Sequence, residues 1–111
     1  PGKPVYFDHY QAGPEGEPIA IGGMNTLKNV YDYEPVPKEL NAEEAKHVLG
    51  AQANLWTEFI TTSEHVEYMI LPRMPALAEV VWSPRENLWT KRLALLPRKF
   101  YRKHQASRTK R

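Results

Sequence analysis

Two short runs in this 111-residue chain each set an aromatic ring two positions before a carboxylate. In Val5-Tyr6-Phe7-Asp8-His9-Tyr10 the pair is Tyr6 and Asp8; in Ala51-Gln52-Ala53-Asn54-Leu55-Trp56-Thr57-Glu58 it is Trp56 and Glu58. Both runs read as strands, the second a buried one that gives way to a loop at Glu58. Residues two apart on a strand emerge on one face, so each run would present ring and carboxylate together. That pairing suits a pyranose. The apolar C–H face of the sugar packs on an indole, and adjacent hydroxyls donate to an ionised carboxylate, a bond worth roughly 1.5–3 kcal/mol. On spacing alone the plainer alternative stands level: Trp56 as core filling and Glu58 as the first residue of a solvated loop. The histidines His9, His47, His65 and His104 are scattered, with no H-x-x-x-H pair, and read as surface or hydrogen-bonded groups rather than metal ligands. The chain has no cysteine, which excludes disulfides, thiolate catalysis and zinc–thiolate sites. No metal and no cofactor are expected.

The elements that must position these residues are legible around them. Residues 12–23 form a turn-rich loop with four glycines and two prolines, which stops the first strand. Thr26 to Tyr33 supports one or two helical turns, and Glu34-Pro35-Val36-Pro37 must be extended because residues before proline are pushed out of the helical region. Asn41 caps a brief helix whose Glu43 and Glu44 suit the positive end of the dipole, and Gly50 reads as its stop. Helix, glycine, strand is the αβ half of a βαβ repeat. Thr61, three residues before Glu64, reads as a second capping box. Beyond it Ile70, Met74, Leu77 and Val81 recur at i, i+4, i+7, i+11, which predicts one buried helical face. Pro72 and Pro75 predict a break near Leu71 and a second helix to about Trp82. Ser83-Pro84-Arg85-Glu86 predicts a further helix start, followed by Trp89, Leu93, Leu96 and Phe100 at the same spacing. Two strands with their helices are too little for an independent parallel sheet, so the chain reads as part of a larger α/β fold.

Composition narrows the class. At 41% hydrophobic and 25% charged residues the chain is a globular rather than a disordered one. No apolar run approaches the ~20 residues that span a bilayer. The opening Pro1-Gly2-Lys3-Pro4 is not a signal peptide, so an export signal would lie outside this segment. Residues 1–90 hold all 13 acids and six of the 15 basic residues; residues 91–111 hold the other nine basic residues. That end reads as a solvated basic helix and tail. Binding to nucleic acid or an anionic surface is the alternative, weakened by the lack of interleaved aromatics after Tyr101.

The run Gly50-Ala51-Gln52-Ala53-Asn54-Leu55-Trp56-Thr57-Glu58, followed by Leu71-Pro72-Arg73-Met74-Pro75-Ala76-Leu77-Ala78-Glu79-Val80-Val81-Trp82-Ser83, closely resembles glycoside hydrolase family 20. Tyr6-Phe7-Asp8-His9-Tyr10-Gln11 is similar to the bacterial form of that family, as is the stretch from Glu17-Pro18 to Val36-Pro37. The resemblance covers about residues 5–100. It implies the C-terminal part of a (β/α)8 TIM-type barrel, with the last two strands and their helices in residues 1–90 and a basic terminal helix and tail in 91–111. In such barrels substrates bind at the carboxyl ends of the strands. The implied activity is removal of terminal β-linked N-acetylglucosamine or N-acetylgalactosamine from glycans and chitin fragments. In this chemistry the acetamido oxygen of the substrate attacks the anomeric carbon, with retention.

By motif, Tyr6 matches the tyrosine that orients the acetamido oxygen, Asp8 and Glu58 match the acids that hold hydroxyls at the outer end of the ring, and Trp56 matches the indole that walls the pocket. The family's catalytic Asp-Glu pair has no match, because Asp8 and Asp32 precede His9 and Tyr33. The resemblance therefore implies that the acid and the sugar-gripping arginine come from upstream, and that this segment alone is inactive. It leaves Arg73 and Glu79 as structural residues of the wall, and Tyr10, Tyr31 and Tyr33 as packing or pocket-mouth residues. The implied partners are N-acetylhexosamine-terminated glycans and the rest of the barrel, with no nucleic acid and no membrane span; homo-oligomerisation stays open, and a periplasmic or secreted location is implied. Two other readings stand beside it: a non-catalytic amino-sugar-binding module, and an interaction protein that uses the basic tail.

Overall fold

Short helices joined by extended segments make up residues 3–88, the part of the chain described by this computed structural model. A 3-10 turn over Lys3–Val5 precedes α1 (Leu27–Tyr31), α2 (Ala42–Ala45), α3 (Ser63–Ile70) and α4 (Arg73–Trp82), and a second 3-10 turn covers Arg85–Asn87. Local chemistry starts each helix. Thr26 caps α1 by accepting from Asn29 N–H. Asn41 and Glu44 make the reciprocal capping box of α2, Asn41 accepting from two backbone N–H groups and Glu44 from that of Asn41. At α3 the cap is Thr62, not Thr61: its hydroxyl accepts from His65 N–H, which moves the helix start one residue on. The fully exposed Glu64 carboxyl is held below its ordinary range by its own backbone N–H first, then by the Thr62 hydroxyl.

Two expected stops move as well. Helix α2 ends at Ala45 with Lys46 as its C-cap, well before Gly50. It buries no residue, and only its capping box and the exposed Glu43–Lys46 ion pair sustain so short a helix among the described residues. Ser83 caps nothing at its own Ser-Pro-Arg-Glu run; it ends α4, its N–H donating to Glu79 O at 2.9 Å, and only the single 3-10 turn follows. The expected stripe of Trp89, Leu93, Leu96 and Phe100, and the basic helix and tail of 91–111, lie outside the described residues.

The strand expectation needs correcting. Among the described residues pairing is limited to two isolated parallel bridges, Tyr6 with Asn54 and Tyr10 with Met24. Phe7 donates to Asn54 O at 2.8 Å and Asn54 N–H to Val5 O at 2.7 Å; Asn25 N–H donates to Tyr10 O at 2.8 Å. Between the bridges Phe7 and Asp8 turn and His9 bends, so the run from Val5 to Tyr10 is no continuous strand. The reason is competition for its carbonyls: those of Phe7 and His9 accept from the Arg73 guanidinium. The parallel sense agrees with an α/β architecture.

The core gathers Val5, Phe7, Val30, Tyr31, Ala76, Leu77, Val80 and Leu88, with α1 packed against α4. Its helical stripe is not the expected one. Met69, Arg73, Ala76 and Val80 are the buried positions at i, i+4, i+7, i+11, while Met74 and Val81 face outward and only Leu77 of the expected set is buried. The break near Leu71 between α3 and α4 is as expected, and the Leu71–Pro72 peptide there is cis.

Candidate functional site

The parallel bridge at Tyr6 and Asn54 organises the candidate site. Two chains paired in parallel run out in the same direction. Two residues beyond the bridge stand Asp8 on one chain and Trp56 on the other, with Glu58 two residues further in a turn. The four sequence-derived residues thus leave two adjacent segments at a common edge. Their environments differ. Trp56 is 55% exposed and Glu58 is exposed, whereas Tyr6 is half-buried and packs against the core. The Tyr6 ring meets the His9 imidazole edge-on, with centroids 6.4 Å apart. Asp8 is only 5% exposed, and its Oδ1 has no hydrogen-bond partner. The shared-face argument for Tyr6 and Asp8 does not hold, since the chain turns at Asp8; what brings both to the edge is the bridge before the turn.

Behind that edge lies a network that sequence spacing did not reveal. Arg73 is wholly buried, with its guanidinium 5.1 Å from the centre of the Phe7 ring. Nη2 donates to Phe7 O at 2.6 Å and Nη1 to His9 O at 2.9 Å, the two carbonyls that flank Asp8. Nη1 also reaches Asn25 O at 3.0 Å, and Nε reaches Met69 O at 3.0 Å. Burial, opposed in part by Coulombic attraction to Glu17, Tyr68 and Asp8, lowers the guanidinium to about 10, so it stays a cation at neutral pH. Asn25, also wholly buried, donates from Nδ2 to Tyr6 O at 2.8 Å and Pro4 O at 3.1 Å. His9 Nδ1 faces the Gly22 carbonyl and therefore carries the proton it shares. The signal for Arg73 was there in one form: an arginine at i+4 of a buried stripe must find acceptors inside the protein.

The residues left as structural or packing groups find polar partners. Tyr31 is buried and its hydroxyl donates to Glu79 Oε2 at 2.8 Å across α1 and α4. The Tyr10 hydroxyl accepts from Ala20 N–H at 3.2 Å, and Tyr33 packs on the core. A groove of about 630 Å³ is lined by Gln11, Glu64, Glu67, Tyr68, Leu71 and Pro72, and includes none of Tyr6, Asp8, Trp56 or Glu58. Of the four, Trp56 and Glu58 are exposed while Tyr6 and Asp8 are half-buried and buried. Among the described residues no cluster of histidine and acidic side chains could hold a metal ion, and no helix is long and apolar enough to cross a membrane.

Comparison with known proteins follows the same residues. The profile of glycosyl hydrolase family 20, catalytic domain, matches residues 1–85. A beta-hexosaminidase of Porphyromonas gingivalis is 54% identical over 80 residues, 72% of this chain and 10% of that protein. A beta-hexosaminidase of Vibrio furnissii is 35% identical over 80 residues, 70% of this chain and 13% of its own length. A beta-N-acetylhexosaminidase of Cellulomonas fimi is 32% identical over 96 residues, 80% of this chain and 18% of its own. The chain thus spans less than a fifth of the length of these relatives.

Proposed function

The chain belongs to glycosyl hydrolase family 20, and on that premise we propose that it is one wall of the catalytic barrel of a β-N-acetylhexosaminidase. The observation that carries the reading is the parallel bridge of Tyr6 with Asn54, which sends Asp8 and the Trp56–Glu58 run to a common edge. In this reading the wall corresponds to the last two strand–helix units of the barrel, of which the described residues keep the helices and single parallel bridges. The exposed apolar side chains agree with it: Leu49 is 97% and Trp82 88% exposed, as expected of wall residues whose neighbours belong to the rest of a barrel.

The proposed chemistry divides between this segment and the remainder of the parent protein. The acetamido oxygen of a terminal N-acetylhexosamine attacks its own anomeric carbon, and an acid outside this segment protonates the leaving oxygen. Tyr6 donates to the acetamido oxygen and fixes it for attack. The Trp56 indole closes the pocket against the apolar face of the ring. Asp8 and Glu58 accept from ring hydroxyls, and the unpartnered Asp8 Oδ1 is an acceptor suited to such a donor.

The test is kinetic and uses the complete parent enzyme. Glu58→Gln keeps shape and loses charge assistance, a cost of roughly 1–3 kcal/mol in the transition state, or about 5–150-fold in kcat/KM. Trp56→Ala should cost more, because the geometry of the attack goes with the wall. Near-wild-type kcat/KM for both, per folded molecule, would refute the proposal. The 111-residue chain alone should turn over no aryl β-N-acetylglucosaminide, since general acid catalysis of typically 10²–10⁴-fold is missing from it.

A further inference from the structure

We propose that Arg73, with Asn25 behind it, is a positioning residue for the sugar-contacting edge: it fixes the turn that aims Asp8 and the bridge residue Tyr6. The inference rests on the reading that Asp8 and Tyr6 meet the sugar.

Three observations carry it. First, Phe7 O and His9 O, on either side of Asp8, are held by the two ends of one guanidinium. A planar fork with five donors in fixed geometry can hold two such carbonyls at a set separation; an ammonium on a flexible stem cannot. Second, the Asn25 side-chain amide donates to Tyr6 O and the Asn25 backbone carbonyl accepts from Arg73, so the same network reaches both proposed sugar-contacting residues. Third, Asp8 keeps a buried, unpartnered Oδ1. That oxygen stays open to a donor that the described residues do not themselves supply. Packing alone would not call for Arg73. Every hydrogen bond of its guanidinium among the described residues goes to a backbone carbonyl, so the charge is buried without a bonded carboxylate, where an apolar side chain of similar volume is often neutral or better.

The experiment compares Asp8→Asn, Arg73→Lys, Asn25→Ala and the doubles of each with Asp8→Asn, all in the complete parent enzyme. The readouts are kcat and KM per folded molecule, with melting temperature alongside. Displacing a binding group by a fraction of an ångström to an ångström costs on the order of 10–100-fold, and we expect that loss in kcat/KM for Arg73→Lys. It should fall mainly on KM, because Asp8 grips the sugar in ground and transition states alike. In the Asp8→Asn background Arg73→Lys should cost clearly less than it does alone, the remainder being its share in fixing Tyr6. A kcat/KM within twofold of wild type for Arg73→Lys, or losses that multiply with Asp8→Asn, would overturn the proposal. If Arg73→Lys does not accumulate as folded enzyme, Asn25→Ala must show the same non-additivity. Failure of both to fold also overturns it, because the network would then serve stability alone. A neutral Asp8→Asn removes the functional reading of Asp8 and this inference with it, whereas a costly Asp8→Asn beside a neutral Arg73→Lys sinks only the inference.

Discussion

Asn25 offers the sharpest test of how the edge is held together. Its Nδ2 gives two hydrogen bonds, to Tyr6 O at 2.8 Å and Pro4 O at 3.1 Å, in a site with no solvent exposure, while its Oδ1 has no partner. Asn25→Ala removes both bonds at about 1 kcal/mol each and leaves two carbonyls short of a donor. Removing the orphaned Oδ1 returns part of that, so the net loss should be roughly 2–4 kcal/mol. Asn25→Asp keeps the shape but turns the donor into an acceptor aimed at two carbonyl oxygens. It should therefore be worse than alanine, although it is the closer isostere. The assay is thermal unfolding of the parent enzyme, where a loss of this size is on the order of several degrees in a domain of a few hundred residues. An Asn25→Asp variant as stable as wild type would refute the reasoning, because it would mean that an oxygen, not an NH₂ group, faces Tyr6 O and Pro4 O.

Other outcomes follow from the same geometry. Gly23 has φ of +67°, and a Cβ there would lie 3.0 Å from His9 Nδ1. Gly23→Ala should thus destabilise by at least ~1–2 kcal/mol and broaden or shift the His9 ring resonances in NMR spectra. Tyr31→Phe removes the 2.8 Å hydrogen bond to Glu79 and should cost about 1.5–3 kcal/mol in urea unfolding; a double-mutant cycle with Glu79→Gln should recover a coupling of that order. Burial raises the Glu34 carboxyl, but its bond and ion pair with Arg85, the Val36 N–H and Lys38 outweigh that and hold it below its ordinary 4.5. A depressed folded value stabilises above the unfolded value and is lost as pH falls through the folded one, so Arg85→Gln should flatten the stability profile below about pH 4.5. Both partners are substantially exposed, which keeps that effect under ~1 kcal/mol and makes it salt-sensitive in melting curves taken at two ionic strengths.

The helices were legible because their start signals are local. Asn41 with Glu44, and Thr26 ahead of Leu27, carry their own acceptors and need no distant partner. The adjacent threonines at 61 and 62 show the limit, since either can cap and only the packing of α3 chooses. The buried stripe was placed one residue off for a definite reason. A pattern search treats arginine as a solvent residue, so it passes over Met69, Arg73, Ala76 and Val80 for the neighbouring apolar set. The strands failed for the converse reason, because bridge partners lie 14 and 48 positions away and nothing within Val5 to Tyr10 says that its carbonyls belong to an arginine. Trp56 and Glu58 were singled out by residue type, strand spacing and motif, and the spacing argument lapses because neither lies in a strand.

The places where local rules break are concentrated on one connected set of residues. Asp8 and Asn25 are buried with acceptor oxygens that nothing satisfies, and Arg73 is a buried cation bonded only to carbonyls. Outside this set one buried atom, His65 Nε2, also has no partner among the described residues, while Glu34 pairs with Arg85, Glu17 accepts from the backbone N–H of Gln11, and Glu79 accepts from Tyr31. Two of the three unpartnered buried atoms among the described residues fall on this network, and functional positions are where such local inconsistencies are expected. Both orphaned oxygens are closed to solvent in this segment. Asn25 is wholly buried, whereas Asp8 keeps 5% of its surface and lies two residues past a bridge whose partner segment runs on to the exposed Trp56 and Glu58. On the proposed reading a sugar hydroxyl is the donor that Asp8 lacks, and Arg73 holds the two carbonyls that flank it.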